Sequence, residues 1–405
     1  MIGKNTLWFH YCVVVAIGCS NPPTNPHDFN PGEPPPAPRQ KPIIDSIDWK
    51  PITTTSVDFR FWGASPRIAF DPSGTLGFAR GSSPSWMRTT DGGKTWMGPE
   101  EGGLNIKVLS KEVTYRWWPL AKSTDSGVTW NWLQLPDADA QVLVVRSGDI
   151  AAWKTTAPTI WRTTDDGLGW LRVDLSGNVR SVASFDGSRF ASAANGKLHI
   201  SIDGRLTWQE RPFVDATTPE AEWAFDAIWF SDAQTLVSTA QSKDSVARAN
   251  GYIRRGVFRS LDGGISWSEV HVRNMGWSTY QTPYPTNTVG YSFIDPRSWI
   301  ILIVHKGSSG MEVAYVFISD DEGNSCTDLP NLGYLSGFFN MYYKPAFAPP
   351  NWKVGLAGRY MTRDGGKTSS EQKEWAPFYT SAAYFLNPYE VIALYNFTIY
   401  RGTAP

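Results

Sequence analysis

Short apolar runs recur along the chain in pairs, each pair divided by a tight turn. Ile68-Ala69-Phe70 leads through Asp71-Pro72 to Leu76-Gly77-Phe78, and Phe293-Ile294 leads through Asp295-Pro296 to Trp299-Ile300-Ile301. Tyr384-Phe385-Leu386 leads through Asn387-Pro388 to Val391-Ile392-Ala393-Leu394 in the same way. Runs of this length, bounded by Asp, Asn, Pro and Gly, predict antiparallel strands joined by hairpin turns. A third apolar run often follows, such as Ile160-Trp161-Arg162, Val257-Phe258-Arg259 or Val316-Phe317-Ile318. Each of these enters one recurring polar motif.

That motif is complete in Thr89-Thr90-Asp91-Gly92-Gly93-Lys94-Thr95-Trp96, in Ser123 to Trp130 and in Ser260 to Trp267. Its aspartates there are Asp91, Asp125 and Asp262. Thr163 to Trp170 keeps Asp165, Gly167 and Trp170, with Gly169 in place of the second hydroxyl. Ser201 to Trp208 keeps Asp203, Thr207 and Trp208, with Arg205 where glycine is expected. Ser319 to Cys326 keeps Asp321, Gly323 and Ser325; Thr362 to Ser369 keeps Asp364, Gly366 and Thr368; both lack the tryptophan. One Asp-Gly turn is weak evidence of anything. Seven copies on one template predict a repeat architecture.

Each residue type has a local reason. The carboxylate can accept hydrogen bonds from amides of its own loop, glycine permits positive φ, and the tryptophan offers a large plate for packing between sheets. The pattern resembles the Asp box, or BNR repeat, of sialidase-like propellers, in which the boxes lie in peripheral hairpins. That resemblance implies structural rather than catalytic aspartates. Asp-to-Asp spacings of 34, 40, 38, 59, 59 and 43 residues compare with the roughly 40–50 of a four-stranded blade. The two long intervals leave room for insertions at 243–254 and 277–288. After the last motif the chain supplies three more strands and stops at Ile399-Tyr400-Arg401, where another box would begin. The body opens with Asp48-Trp49-Lys50-Pro51-Ile52, which looks like a strand that follows a box. Residues 45–405 are therefore expected to form an all-β propeller of eight four-stranded blades. Pairing of the N- and C-terminal strands closes the ring and removes both edges. Seven blades is the alternative, if the terminal strands join an existing blade.

The first residues read as an address. Lys4 is followed by a mostly apolar stretch, Leu7–Ile17, too short for a comfortable membrane span. It ends Ala16-Ile17-Gly18-Cys19, which resembles the lipobox of bacterial lipoproteins. Residues 1–18 are thus expected to be a signal peptide and Cys19 the lipid-bearing first residue. Residues 19–44 hold nine prolines from Pro22 to Pro42, which predicts an extended solvated tether. The expected location is the bacterial cell envelope, by lipid anchor only. Ser20 in place of an aspartate after the anchor favours the outer membrane.

Charge narrows the partners. Lys plus Arg number 37 and Asp plus Glu 38, so no long-range pull on nucleic acid is expected. Neither a metal nor a cofactor is expected: His199, His271 and His305 are scattered, and no Cys–His spacing exists. Cys326, at a box tryptophan position, is expected to be a small buried apolar residue. Sialidases carry an Arg-Ile-Pro motif before the first box; Pro66-Arg67-Ile68-Ala69 follows that layout without the proline, and no aspartate lies between Arg80 and Asp91. Arg67 is therefore expected on an inner strand facing solvent or a channel. The aromatic groups Arg116-Trp117-Trp118 and Trp277 to Tyr280, read as irregular stretches, are the candidate binding surfaces, able to stack on sugars or anchor a protein. The chain also resembles Ycf48-type assembly factors, which are lipoprotein Asp-box propellers. The reading is a non-catalytic envelope propeller that binds a protein or glycan partner in a scaffold or assembly role. A sialidase-like or other glycoside hydrolase is the alternative.

Overall fold

The computed structural model describes residues 47–403, apart from 60–66, 82–84, 212–222, 244–251, 277–287, 294–298, 307–311, 333–345, 349–352, 372–381 and shorter breaks. The described residues form eight four-stranded antiparallel sheets, each with its strands in chain order except the last. Blade 1 runs Arg67–Phe70, Gly77–Arg80, Ser85–Thr89, Met97–Glu101, and blade 2 Asn105–Val108, Thr114–Trp117, Ala121–Ser123, Asn131–Trp132. Blade 3 runs Gln141–Arg146, Asp149–Trp153, Thr159–Thr163, Leu171–Asp174, and blade 4 Val179–Ser184, Phe190–Ala194, Lys197–Ser201, Gln209–Arg211. Blade 5 has the longer strands Trp223–Phe230, Leu236–Ser242, Tyr252–Ser260 and Ser268–Gly276. Blade 6 runs from Thr288 to Leu332 and blade 7 from Ala346 to Glu371.

The eighth sheet is composite. Ala382–Asn387, Glu390–Tyr395 and Thr398–Thr403 come from the end of the chain, and Asp48–Thr54 adds the outer strand. Asp48 pairs with Thr403 and Thr54 with Thr398.

First strands approach one another between successive sheets, as in blades 1 and 2, 3 and 4, 4 and 5, and the composite blade and blade 1. They therefore face the hub, and the fourth strands lie at the rim. Burial follows that order. The second strands Asp149–Trp153 and Phe190–Ala194 are buried throughout, whereas the outer strand Leu171–Asp174 is largely exposed. Between blades 4 and 5, Leu198 and Ile200 meet Trp223, Phe225, Phe258 and Trp267 in one apolar cluster. Val57 and Phe59 join Phe70, Trp96, Ile392 and Ile399 in another, which seals the composite blade against blade 1.

Two expectations change in detail. Arg116 and Trp117 lie in a regular strand rather than an irregular stretch. The interval after residue 243 is shorter than its spacing suggested, because Tyr252–Arg254 already belongs to the third strand of blade 5. Longer strands in that blade absorb part of the extra length.

Candidate functional site: corners, latches and a histidine cluster

All seven motif aspartates sit at the same place, in the turn from third to fourth strand. In each copy the first hydroxyl donates to an aspartate oxygen, at 2.5–3.0 Å. Asp262 shows the full set. It accepts from the amides of Ile265 and Ser266 at 3.0 and 2.9 Å and from the Ser266 hydroxyl at 2.5 Å, while the Gly264 amide donates to Ser260 Oγ at 2.7 Å. Asp165, whose copy has Gly169 in the hydroxyl position, keeps the bond from the Gly169 amide at 3.0 Å.

Two successive residues after the aspartate adopt left-handed backbone. Gly92 and Gly93 have φ of +71° and +79°. The first of these places is held by Ser126 and Asp166 in the next two copies, at +64° and +58°. A Cβ on Gly93 would lie 3.0 Å from Ile392 Cδ1, so glycine there serves both the turn and the approach of the neighbouring blade.

A carboxylate with its lone pairs so occupied is a poor proton carrier. On Asp91 burial pushes the pKa upward, and bonds from Thr95, Thr89 and Lys94 outweigh it, giving about 2. The Thr129 hydroxyl leads the same effect on Asp125, and the Thr207 hydroxyl on Asp203, each also about 2. Unfolded aspartates titrate near ~3.9. The folded pKa is the lower one, so this stabilisation is complete above about pH 4 and is lost as pH falls toward about 2. The urea midpoint, followed by tryptophan fluorescence, is expected to drop steadily across that window; a midpoint unchanged at the acid end would contradict the assignment. Asp262→Ala, which strands several donors, is expected to lower unfolding free energy by about 1–3 kcal/mol. Asp262→Asn retains one acceptor oxygen and should cost less in the same urea titration.

The residue at the position just before the first hydroxyl performs a second task in five of the eight blades. Arg88 Nη1 donates to the Ser126 carbonyl at 3.3 Å, and Lys122 Nζ to Asp166 Oδ2 at 2.7 Å. Arg162 Nη1 donates to the Gly204 carbonyl at 2.8 Å, Arg259 Nη2 to Asn324 Oδ1 at 3.0 Å, and Arg401 Nη1 to the Gly92 carbonyl at 3.2 Å. Every acceptor belongs to the corner of the next blade. Arg401 makes its bond from the composite blade to blade 1, so the latch spans the junction of the chain ends. Blade 4 has Ile200 in this position, packed where a Cβ on Gly264 of blade 5 would lie at 3.0 Å.

Ser176, His199 and Glu210 form the described cluster nearest in composition to a nucleophilic triad. Ser176 Oγ lies 3.0 Å from His199 Nε2 and donates to Glu210 Oε2 at 3.2 Å. A catalytic serine would give its proton to the imidazole, with a carboxylate on Nδ1. Here the carboxylate takes the serine proton, and the buried Nδ1 has no bond among the described residues. Burial lowers the His199 pKa, partly countered by Glu210, so the ring is neutral near pH 7. The cluster ties the link between blades 3 and 4 to the outer strand, where Glu210 pairs with His199.

The expected binding residues that are described lie in blades 1 and 2. Arg67 is half-buried on the first strand of blade 1, opposite Arg80. Arg116 is buried between blades: Nη1 donates to the Glu101 carbonyl at 2.8 Å, and the guanidinium stacks over Trp130 and Trp132 at 4.3 and 5.0 Å. Trp117 packs on the cluster between blades 2 and 3, and Trp118 occupies the following turn with φ of +60°. Trp277, Tyr280, Cys19 and Cys326 lie outside the described residues. Among the described residues no group of three or more His, Cys, Asp or Glu could hold a metal, and no helix is long and apolar enough to cross a membrane.

Sequence reasoning found the corners because the bonds to each motif aspartate close within five residues. It missed the latches, whose partners are 38 to 309 residues away. Aligning the copies would have exposed the signal: Arg88, Lys122, Arg162 and Arg259 all precede the first hydroxyl, and Arg401 stands where the eighth copy would begin.

No family model and no curated protein matches the chain. Among solved structures, it is similar to Ycf48 bound to a D1 peptide, at 14% identity over 90% of this chain and 96% of that one, with a TM-score of 0.44. Ycf48 from Cyanidioschyzon merolae matches at 15% identity over 88% and 98%, with a TM-score of 0.44. The GH74 xyloglucanase from Xanthomonas campestris matches at 13% over 87% of this chain and 60% of that one, with a TM-score of 0.47. The radial order of its own sheets makes this chain a β-propeller.

Proposed function

We propose that this chain is a lipid-anchored, non-catalytic Asp-box propeller of the bacterial cell envelope that binds a protein or glycan partner in a scaffold or assembly role. One observation carries the reading. The motif carboxylates each hold their own corner, and six of them have a lowered pKa that makes them poor acid–base groups. Anchoring is supported by the lipobox ending in Cys19 and the proline-rich segment that follows it. The partner surface is assigned to the face away from the corners, where Ser242 and Tyr252 flank one long interruption and Gly276 and Thr288 another. Trp277 and Tyr280 fall within the second of these.

The test is capture of partners by the acylated full-length chain from its own envelope, run beside a glycosidase screen. A stoichiometric partner lost on Trp277→Ala and Tyr280→Ala, with no hydrolysis, is the expected result. Turnover of a glycan by the purified chain would overturn the non-catalytic reading.

A further inference from the structure

The corners expose unequal chemistry around the ring. The residue before the corner aspartate and the residue three after it form the tip of each turn. In the first, sixth and seventh copies the described tip residues are Thr90 and Lys94, Asn324, and Arg363. Blades 2 to 5 instead present Val128, Leu168, Ile202, Leu261 and Ile265. Leu168 is 91% exposed and the other four lie between 55% and 69%. Phe185, in the first hairpin turn of blade 4, is exposed on the same face. That turn and the corner share a face because the Gly204 amide donates to the Ser188 carbonyl at 2.7 Å. Four consecutive blades therefore carry aliphatic tips on one side of the ring. Burying such side chains out of water is favourable, and these five stand on four successive blades of one face.

The chain enters the fold on that side. Third strands end at the corners, and Asp48 pairs with Thr403 at the end of the composite blade's third strand. The neighbouring Arg401 reaches the corner of blade 1. Ile47, the first described residue, is thus at the corner face, and residues 20–46 separate it from Cys19. Those residues span at most about 100 Å when fully extended.

We propose that the arc from Val128 to Ile265 rests on the zwitterionic lipid surface to which Cys19 is anchored. The proposal rests on the anchoring stated under the proposed function. Aliphatic tips on turns can sink into the boundary of headgroups and acyl chains while the polar corner stays at headgroup depth. A zwitterionic surface fits because the chain's net charge of -1 offers no attraction to anionic lipid. The ring then lies with its corners toward the bilayer and the opposite face toward a partner.

The experiment places the acylated full-length chain in phosphatidylethanolamine–phosphatidylcholine vesicles containing a phosphatidylcholine with a photoactivatable carbene precursor in its acyl chain. After irradiation, adducts are mapped by mass spectrometry. Labelling is expected on the peptides holding Leu168, Ile202 and Leu261 to Ile265, and not on Phe397, which is exposed on the opposite face. The exposed-site variant Leu168→Glu/Ile265→Glu should remain with the vesicles through its lipid and lose labelling along the arc. An acylated chain that stays with the vesicles but is labelled no more on the arc than at Phe397 overturns the docking and leaves the anchoring intact. A native-envelope cross-link from the arc to a protein, with no lipid adduct, also overturns it and assigns the surface to that protein. A chain without an acyl group by mass, or a Cys19→Ser variant that stays in the envelope as firmly as the parent, overturns the anchoring and this proposal with it.

Discussion

A chain that starts at residue 60 is expected to be unfolded or self-associated under conditions where the full-length protein is a folded monomer. The truncation removes the outer strand Asp48–Thr54 and with it Ile47, Val57 and Phe59, all buried. Each such side chain stabilises by about 1.5–3 kcal/mol on burial, so the loss is comparable to the 5–15 kcal/mol of a typical domain. It also bares the Thr398–Thr403 strand as an unpaired edge, next to apolar surface around Ile399, which invites pairing with another chain. Size-exclusion chromatography and thermal unfolding measure both effects. A synthetic peptide of residues 45–59 should restore part of the lost transition when added in excess. A truncated chain that stays monomeric with an unchanged melting temperature would show that the composite blade does not hold the ring.

The second large effect is expected at Asp149. Arg162 and Asp149 are buried at the junction of blades 3 and 4, and the guanidinium forks onto the carboxylate with Nε at 2.5 Å from Oδ1. Its remaining donors reach the Gly204 and Gly187 carbonyls of blade 4, at 2.8 and 3.2 Å. Asp149→Ala leaves a buried guanidinium with dipoles and no counter-charge, a change that costs about 3–5 kcal/mol. The pair itself contributes less than that, because both ions were taken out of water to form it. Asp149→Ala combined with Arg162→Met should therefore recover most of the loss, its thioether chain filling the space beside Phe190. Urea unfolding of the two variants checks this. Equal losses in both would mean that the bonds from Arg162 to blade 4, rather than the uncompensated charge, set the stability of this junction.

The two results bear on what a sequence can disclose. The corners were legible because every bond of Asp91 or Asp262 lies within the motif, so composition and geometry coincide over a few residues. The composite blade was legible for another reason: strands come in fours, and the count fell short at one end and ran over at the other. The latches were opaque, because nothing beside Arg88 says that its acceptor is the Ser126 carbonyl of another sheet. That Arg116 is buried was opaque for a related reason. A guanidinium beside indoles suits a sugar platform, but it suits the seam between two blades equally well, and here the Glu101 carbonyl holds its edge while it stacks over Trp130. The left-handed backbone at Ser126 was hidden too, since serine does not announce positive φ.

Joining the two ends of the chain in one sheet also imposes an order in time. During synthesis Asp48–Thr54 emerges more than 300 residues before its neighbour Thr398–Thr403. The seven inner sheets can each form as their own residues appear, but the eighth waits for residues 382–403. For that whole interval the earlier strand must be kept from pairing elsewhere, and a chain broken before residue 398 yields a circle that cannot shut.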